Sequence, residues 1–241
     1  MSPDTKGARL AGPLKYDHGG KGGFQTVMER YALLAAVSYL IGSIPFGLYA
    51  ARYSLRRRGL PPGSAIANVA PLELYRGSDS GRRLAGLTFF LELVKGFVPT
   101  FTGYLALGMP GAVGGGSAAL FGHSFPFFGR LRGSNSLAPL LGILLAVYPI
   151  VVVILGMVWT AALAAWRYAS LATLITAAVS PLTLAALDAG GNYKGTVVTA
   201  SVLWALLTFF SHRENIRRLM SGREARINAP LGEGDHRRRV R

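Results

Sequence analysis

The sequence predicts an all-α fold, a polytopic integral membrane bundle of about seven transmembrane helices. The first observation is composition: of 241 residues, 51% are hydrophobic and only 15% charged, with a positive mean hydropathy of +0.35. Ordinary soluble domains carry more charge and less apolar residue. The second is that Asp, Glu, Lys and Arg are absent from residues 31–51, 97–129, 133–166, 168–187 and 195–212. A helix uses roughly 20 apolar residues to cross about 30 Å of hydrocarbon, so each stretch holds one span and the longest have room for two short ones. The third is that Lys and Arg gather at the ends of these stretches, where they meet lipid headgroups.

Residues 1–30 read as a polar, glycine-rich flexible tail, residues 31–212 as the membrane domain and residues 213–241 as a basic tail. The run His18-Gly-Gly-Lys-Gly-Gly23 lacks the Gly-Lys-Ser/Thr ending of a phosphate loop and follows no strand. The tail is too long, and the apolar run after it too extended, for a simple cleaved signal peptide, so Tyr31–Ala51 is expected to be a retained span. Further spans are expected at Leu84–Leu107, Ala112–Phe128, Leu137–Tyr148, Pro149–Trp166, Ala169–Leu187 and Gly195–Ser211. The fourth is short, so it is expected either to lie buried against its neighbours or to join the fifth around Pro149. Six spans is the competing count.

With seven spans, the segments on the side of the C-terminus hold seven, two, one and nine Lys and Arg residues, nineteen in all, against six on the other side. Positive charge stays on the cytoplasmic side, so the C-terminus is expected inside and the Gly108–Ser117 loop outside. The formal net charge of +15 therefore belongs to loops facing headgroups and phosphorylated substrates, and no recognised nucleic-acid motif accompanies it. The absence of cysteine excludes disulfides, thiolate metal sites and a cysteine nucleophile.

Within the second span, Glu92 and Lys95 are three residues apart and share a helical face. Two readings are open: an internal ion pair that holds the bundle, or a substrate contact by Lys95. His123, in Gly122-His-Ser-Phe-Pro126, reads as a hydrogen-bonded structural residue rather than a metal ligand. After the seventh span comes His212-Arg-Glu-Asn-Ile-Arg-Arg-Leu-Met-Ser-Gly-Arg-Glu224. Continued as helix, it puts an exposed juxtamembrane His212 on one side with Asn215, a titratable imidazole beside an amide.

These pieces resemble the bacterial acyl-phosphate:glycerol-3-phosphate acyltransferase family, and they occur in family order. They are Leu40-Ile-Gly-Ser-Ile-Pro-Phe-Gly47, Glu92-Leu-Val-Lys-Gly96, Gly122–Pro126, Arg167-Tyr-Ala-Ser-Leu-Ala172 and the His212–Glu224 signature. The resemblance implies a seven-helix enzyme of the bacterial cell membrane that passes a fatty acyl group from acyl phosphate to the sn-1 hydroxyl of glycerol 3-phosphate. It implies no metal and no organic cofactor, and membrane lipid as the surrounding partner. His212 and Asn215 would be catalytic, and Ser64, Asn68, Arg76, Lys95, Arg132, Gly133, Ser134 and Asn135 would bind substrate.

Two family motifs depart from the usual pattern. Where the family reads about Ser-Gly-Asn-x-Gly-Ala-Thr-Asn-x-x-Arg, residues 66–76 keep Asn68 and Arg76 in register. Ser64 lies two residues out of it, and Leu72 and Glu73 replace a hydroxyl and an amide. The second motif, a Lys-Gly-Gly-Lys-Gly loop, is Arg132-Gly-Ser-Asn-Ser136, so Asn135 replaces a lysine and a charge-assisted contact becomes a neutral one. These losses motivate a second reading, a non-catalytic or re-purposed relative that binds lipid or an assembly partner. A small transporter is the third, on account of the charges inside a span.

Overall fold

The computed structural model describes residues 20–57, 79–127, 136–187 and 194–227. Helices α1 (Gly20–Gly42), α2 (Phe46–Arg57), α3 (Asp79–Ser124), α4 (Leu137–Val147), α5 (Pro149–Trp166), α6 (Ala169–Leu187), α7 (Lys194–Ser211) and α8 (Arg213–Met220) follow in that order. By length and hydropathy, Phe24–Ser54, Arg83–Ser124, Pro149–Trp166 and Ala169–Leu187 are each able to cross a bilayer. Gly195–Ser211 with Arg213–Met220 makes a fifth such stretch, bent by 61°.

α3 accounts for two of the expected spans. Its 46 residues would reach roughly 70 Å as a straight helix, about twice the hydrocarbon thickness. Gly108 interrupts it with φ 68° and ψ −157°, a conformation that glycine adopts without a Cβ penalty. The chain reverses there, because Gly103 packs on the Gly111 backbone and Gly115 on the Pro99 carbonyl. The turn is tighter than the expected Gly108–Ser117 loop. Ser117 lies well inside the returning arm, where its hydroxyl accepts the Trp204 indole N–H at 2.9 Å.

The first expected span is not continuous. α1 begins at Gly20, ahead of Tyr31, and ends at Gly42, and α2 starts at Phe46. Pro45 has no N–H to extend the ladder, and Gly42 lies against the Ala119 backbone with no room for a side chain. α4 has 11 residues, about 16 Å of helix, so it spans only part of the membrane. Leu140, Ile143 and Leu144 are fully buried in it, and Gly142 meets the Leu93 backbone. α5 begins directly after the break at Tyr148, with Pro149 at its start, where a missing N–H costs nothing.

The core joins Leu120, Leu140, Ile143, Leu144, Val151, Leu155, Leu184, Val197 and Trp204. Outward faces carry Leu33, Phe90, Leu105, Val153, Met157, Leu182 and Leu206, all exposed, as lipid demands. Between the helices, glycines let backbones touch, since lipid supplies no hydrophobic drive for association and close packing must do so. Hydroxyls inside the bundle bond back to their own helix: Thr100 to Gly96, Thr176 to Ala172 and Thr208 to Trp204.

Gly142→Val should lower bundle stability by roughly 1–3 kcal/mol through backbone overpacking. Gly156→Val, where no atom lies within 4 Å of an added Cβ, should change it by less than about 0.5 kcal/mol. Thermal unfolding in detergent checks the pair, and equal midpoints would contradict the close α3–α4 crossing.

Candidate active site

Polar groups collect where helices end. The end of α3 and the end of α7 are joined by the Ser211 hydroxyl, which donates to the Ser124 hydroxyl at 3.1 Å. That bond sets His123 and His212, each one residue away, on the same buried level, with 5% and 3% exposure. The α1 end is drawn in by Tyr39, whose hydroxyl donates to the Phe125 carbonyl at 3.0 Å. The start of α4 lies against α3, since Gly96 packs on the Pro139 backbone, and Ser136 immediately precedes it.

His212 occupies the corner between α7 and α8 rather than a continued helix. Its Nδ1 lies 2.9 Å from the Thr208 carbonyl, which can only accept, so Nδ1 carries a proton and Nε2 holds the basic lone pair. The residue is buried, not exposed as expected, because the 61° bend turns α8 across the end of the bundle. Burial pushes the His212 imidazole below the ordinary histidine range. The Thr208 carbonyl and Glu224 pull the other way. The neutral ring is the one suited to accept a proton.

Asn215 sits on α8, half-buried, and donates from Nδ2 to Oε1 of Glu224 at 2.9 Å. The other carboxylate oxygen accepts from Arg218 Nε at 2.7 Å. The chain reaches Glu224 by a Schellman ending: the Gly222 N–H bonds the Leu219 carbonyl and the Arg223 N–H bonds the Arg218 carbonyl. Gly222 has φ 64°, as that motif asks. Residues beyond Glu224 dock on the α5–α6 corner, where Ile227 N–H donates to the Arg167 carbonyl at 2.8 Å. Arg226 Nε donates to the Tyr168 hydroxyl at 2.9 Å.

Of the residues expected from sequence, Lys95, His212 and Asn215 come to this one end. Lys95 is buried among Glu92, the Ile44 carbonyl and His123. Ser64, Asn68, Arg76, Arg132, Gly133, Ser134 and Asn135 lie outside the described residues. The structure adds side chains that residue type alone did not single out. Ser136 and Ser170, at the starts of α4 and α6, are buried with hydroxyls that have no hydrogen-bond partner among the described residues. Glu224 is the brace of Asn215, and its place closing the signature, two residues past a glycine, was the available signal. Among the described residues, no three His, Asp or Glu side chains converge as a metal site.

A bundle of lipid-facing helices with an imidazole, an amide and hydroxyls unpaired among the described residues at one polar end has the make-up of a membrane group-transfer enzyme. The pattern of the family described as glycerol-3-phosphate acyltransferase matches residues 32–222. Glycerol-3-phosphate acyltransferase of Rhizobium etli is 34% identical, over 86% of this chain and 96% of its own. That of Geotalea daltonii is 35% identical, over 82% and 97%. The solved structures of PlsY (YgiH), an integral membrane glycerol 3-phosphate acyltransferase, superpose with TM-scores of 0.69 in the glycerol 3-phosphate form and 0.68 in the lysophosphatidic acid form. Both are 30% identical to this chain and cover 83% of it and 96% of PlsY. The chain belongs to the glycerol-3-phosphate acyltransferase family and is an integral, multi-pass membrane enzyme of phospholipid biosynthesis.

Proposed function

We propose that the chain moves a fatty acyl group from acyl phosphate to the sn-1 hydroxyl of glycerol 3-phosphate at the polar end of the bundle. The observation that carries this reading is His212, buried beside the ends of α3 and α7 with its basic nitrogen defined by the Thr208 carbonyl. The glycerol oxygen forms its bond to the acyl carbonyl carbon, and its proton passes to Nε2 of His212. The bond from that carbon to the phosphate oxygen breaks, and the departing phosphate takes the proton up. Phosphate is a good leaving group, so positioning and charge stabilisation carry the catalysis. Asn215, held by Glu224, completes the site.

Arg76, Arg132, Ser134, Asn135 and the Gly133 N–H supply the phosphate contacts, and Ser64 and Asn68 also bind substrate. The buried hydroxyls of Ser136 and Ser170, without a hydrogen-bond partner among the described residues, add to these. Lys95 contributes positive charge from within the protein, and the acyl tail stays with the apolar faces that meet lipid. The direct test is purified protein with acyl phosphate and labelled glycerol 3-phosphate, followed for lysophosphatidic acid. Acyl phosphate should support transfer, and acyl-CoA and acyl-carrier-protein should not; the reverse donor preference would overturn the reading. In the same assay Asn135→Lys should lower the KM for glycerol 3-phosphate about ten-fold or more, by restoring a charge-assisted contact.

The orientation proposed is the C-terminus in the cytoplasm of a bacterial cell, supported by nineteen Lys and Arg against six across the two sides. Because the chain has no cysteine, single cysteines report sidedness cleanly. A cysteine at Ala106, next to the Gly108 turn, should react with an impermeant reagent in intact cells, and one at Met220 only after permeabilisation. The opposite pattern would reverse the topology.

A further inference from the structure

Glu92 and Lys95 do more than neutralise each other. Lys95 Nζ reaches Oε2 of Glu92 at 2.5 Å, the Ile44 carbonyl at 3.0 Å and Nδ1 of His123 at 2.9 Å. An ammonium only donates, so Lys95 donates to the Ile44 carbonyl and to Nδ1 of His123 and pairs with Glu92 as an ion, while Nδ1 of His123 also lies 3.3 Å from Oε2 of Glu92. Oε1 of Glu92 takes the Gly47 N–H at 3.4 Å. Phe46 lies beneath the cation, its ring centre 5.8 Å from Nζ.

Ile44 and Gly47 flank Pro45, where α1 gives way to α2. In an unbroken helix the Ile44 carbonyl would accept the Leu48 N–H, and the Gly47 N–H would donate to the Ser43 carbonyl. Here Leu48 bonds the Pro45 carbonyl instead, and Ile44 accepts from Phe46. The charged pair completes the break: the cation is a second donor to the Ile44 carbonyl, and the carboxylate takes the Gly47 N–H. Such groups cannot turn to water inside a bilayer. His123 carries the same cluster to the returning arm of α3, one residue from the Ser124–Ser211 bond that sets His212.

We infer that Glu92, Lys95 and His123 form a buried positioning clamp that fixes the α1–α2 break, and with it α2, which leads in sequence to Asn68 and Arg76, relative to His212. Lys95 is thus a positioning residue and not a substrate contact. The polarity of the clamp matters: reversing the pair would place a carboxylate against the Ile44 carbonyl and an ammonium against the Gly47 N–H, so a swap keeps the charges and loses the fit. The kinetic part of this inference rests on the acyl-transfer reading, whereas its geometric part does not.

The test uses spin labels at Tyr49 on α2 and Leu206 on α7, both exposed, in the full-length protein. The unaltered protein should give one narrow distance distribution. Lys95→Met, Glu92→Gln and the double swap Glu92→Lys with Lys95→Glu should each widen it about two-fold or more. Turnover should fall roughly 10²-fold, the cost of an ångström-scale misplacement, with the KM for glycerol 3-phosphate changing much less. An unchanged distribution in Lys95→Met, or a swap that restores both distance and turnover, would overturn the clamp. So would a KM rise in Lys95→Met without widening, the mark of a direct substrate contact. Should the charge variants fail to insert, His123→Gln, which keeps an acceptor for Lys95, should stay narrow while His123→Leu widens; identical distributions in the two would overturn it. If the unaltered protein transfers no acyl group, the functional reading fails while the distances still decide the clamp.

Discussion

Inside a bilayer, every backbone N–H and C=O that leaves a helix must find a partner within the protein, and this fold has two departures that govern its shape and chemistry. One is the α1–α2 break at Pro45, where Glu92 and Lys95 take up the groups released on either side. The other is the end of α7 at His212, where the chain bends across the bundle. Where the chain must turn without such help, as at Gly108, it does so at a residue that tolerates positive φ.

The polar end follows from the first departure. Burying Glu92 and Lys95 apart would be costly, and together they form a compensated pair, with His123 as a further acceptor for Lys95. His123 leads through Ser124 to Ser211 and His212, so the groups that satisfy one helix break also frame the imidazole at another. Glu224 plays the corresponding part on the outer side. It holds Asn215 and Arg218 with its two oxygens, and the chain after it is tied to Arg167 and Tyr168. The outcome is a rigid surround for a small polar site at the edge of an apolar bundle.

Much of this was readable from the sequence, because lipid imposes a coarse and strong signal. The spans at Pro149–Trp166 and Ala169–Leu187 fall where charge is absent, and a 46-residue helix doubling back at Gly108 is the only way its apolar length fits a membrane. The break at Pro45 was not read, since the hydropathy of Phe24–Ser54 is continuous across it and the decisive contacts come from residues 45 and more positions away. The bend at His212 was missed for a similar reason: the His212–Met220 run has helical spacing, and only packing on the bundle end shows that the axis changes. The imidazole's burial follows from that bend. The Glu92–Lys95 pairing was visible from an i, i+3 spacing, but its backbone targets were not.

In the proposed mechanism acyl transfer takes place at the corner at His212, and turnover of His212→Ala measured alongside its thermal stability tests this. A positioned base is commonly worth 10²–10⁴ in rate, so turnover should fall by a factor in that range, with a protein that still inserts and unfolds cooperatively at a modestly lower temperature. Full turnover in His212→Ala would contradict it, and a loss of turnover that only tracks loss of the folded bundle would make the residue structural instead.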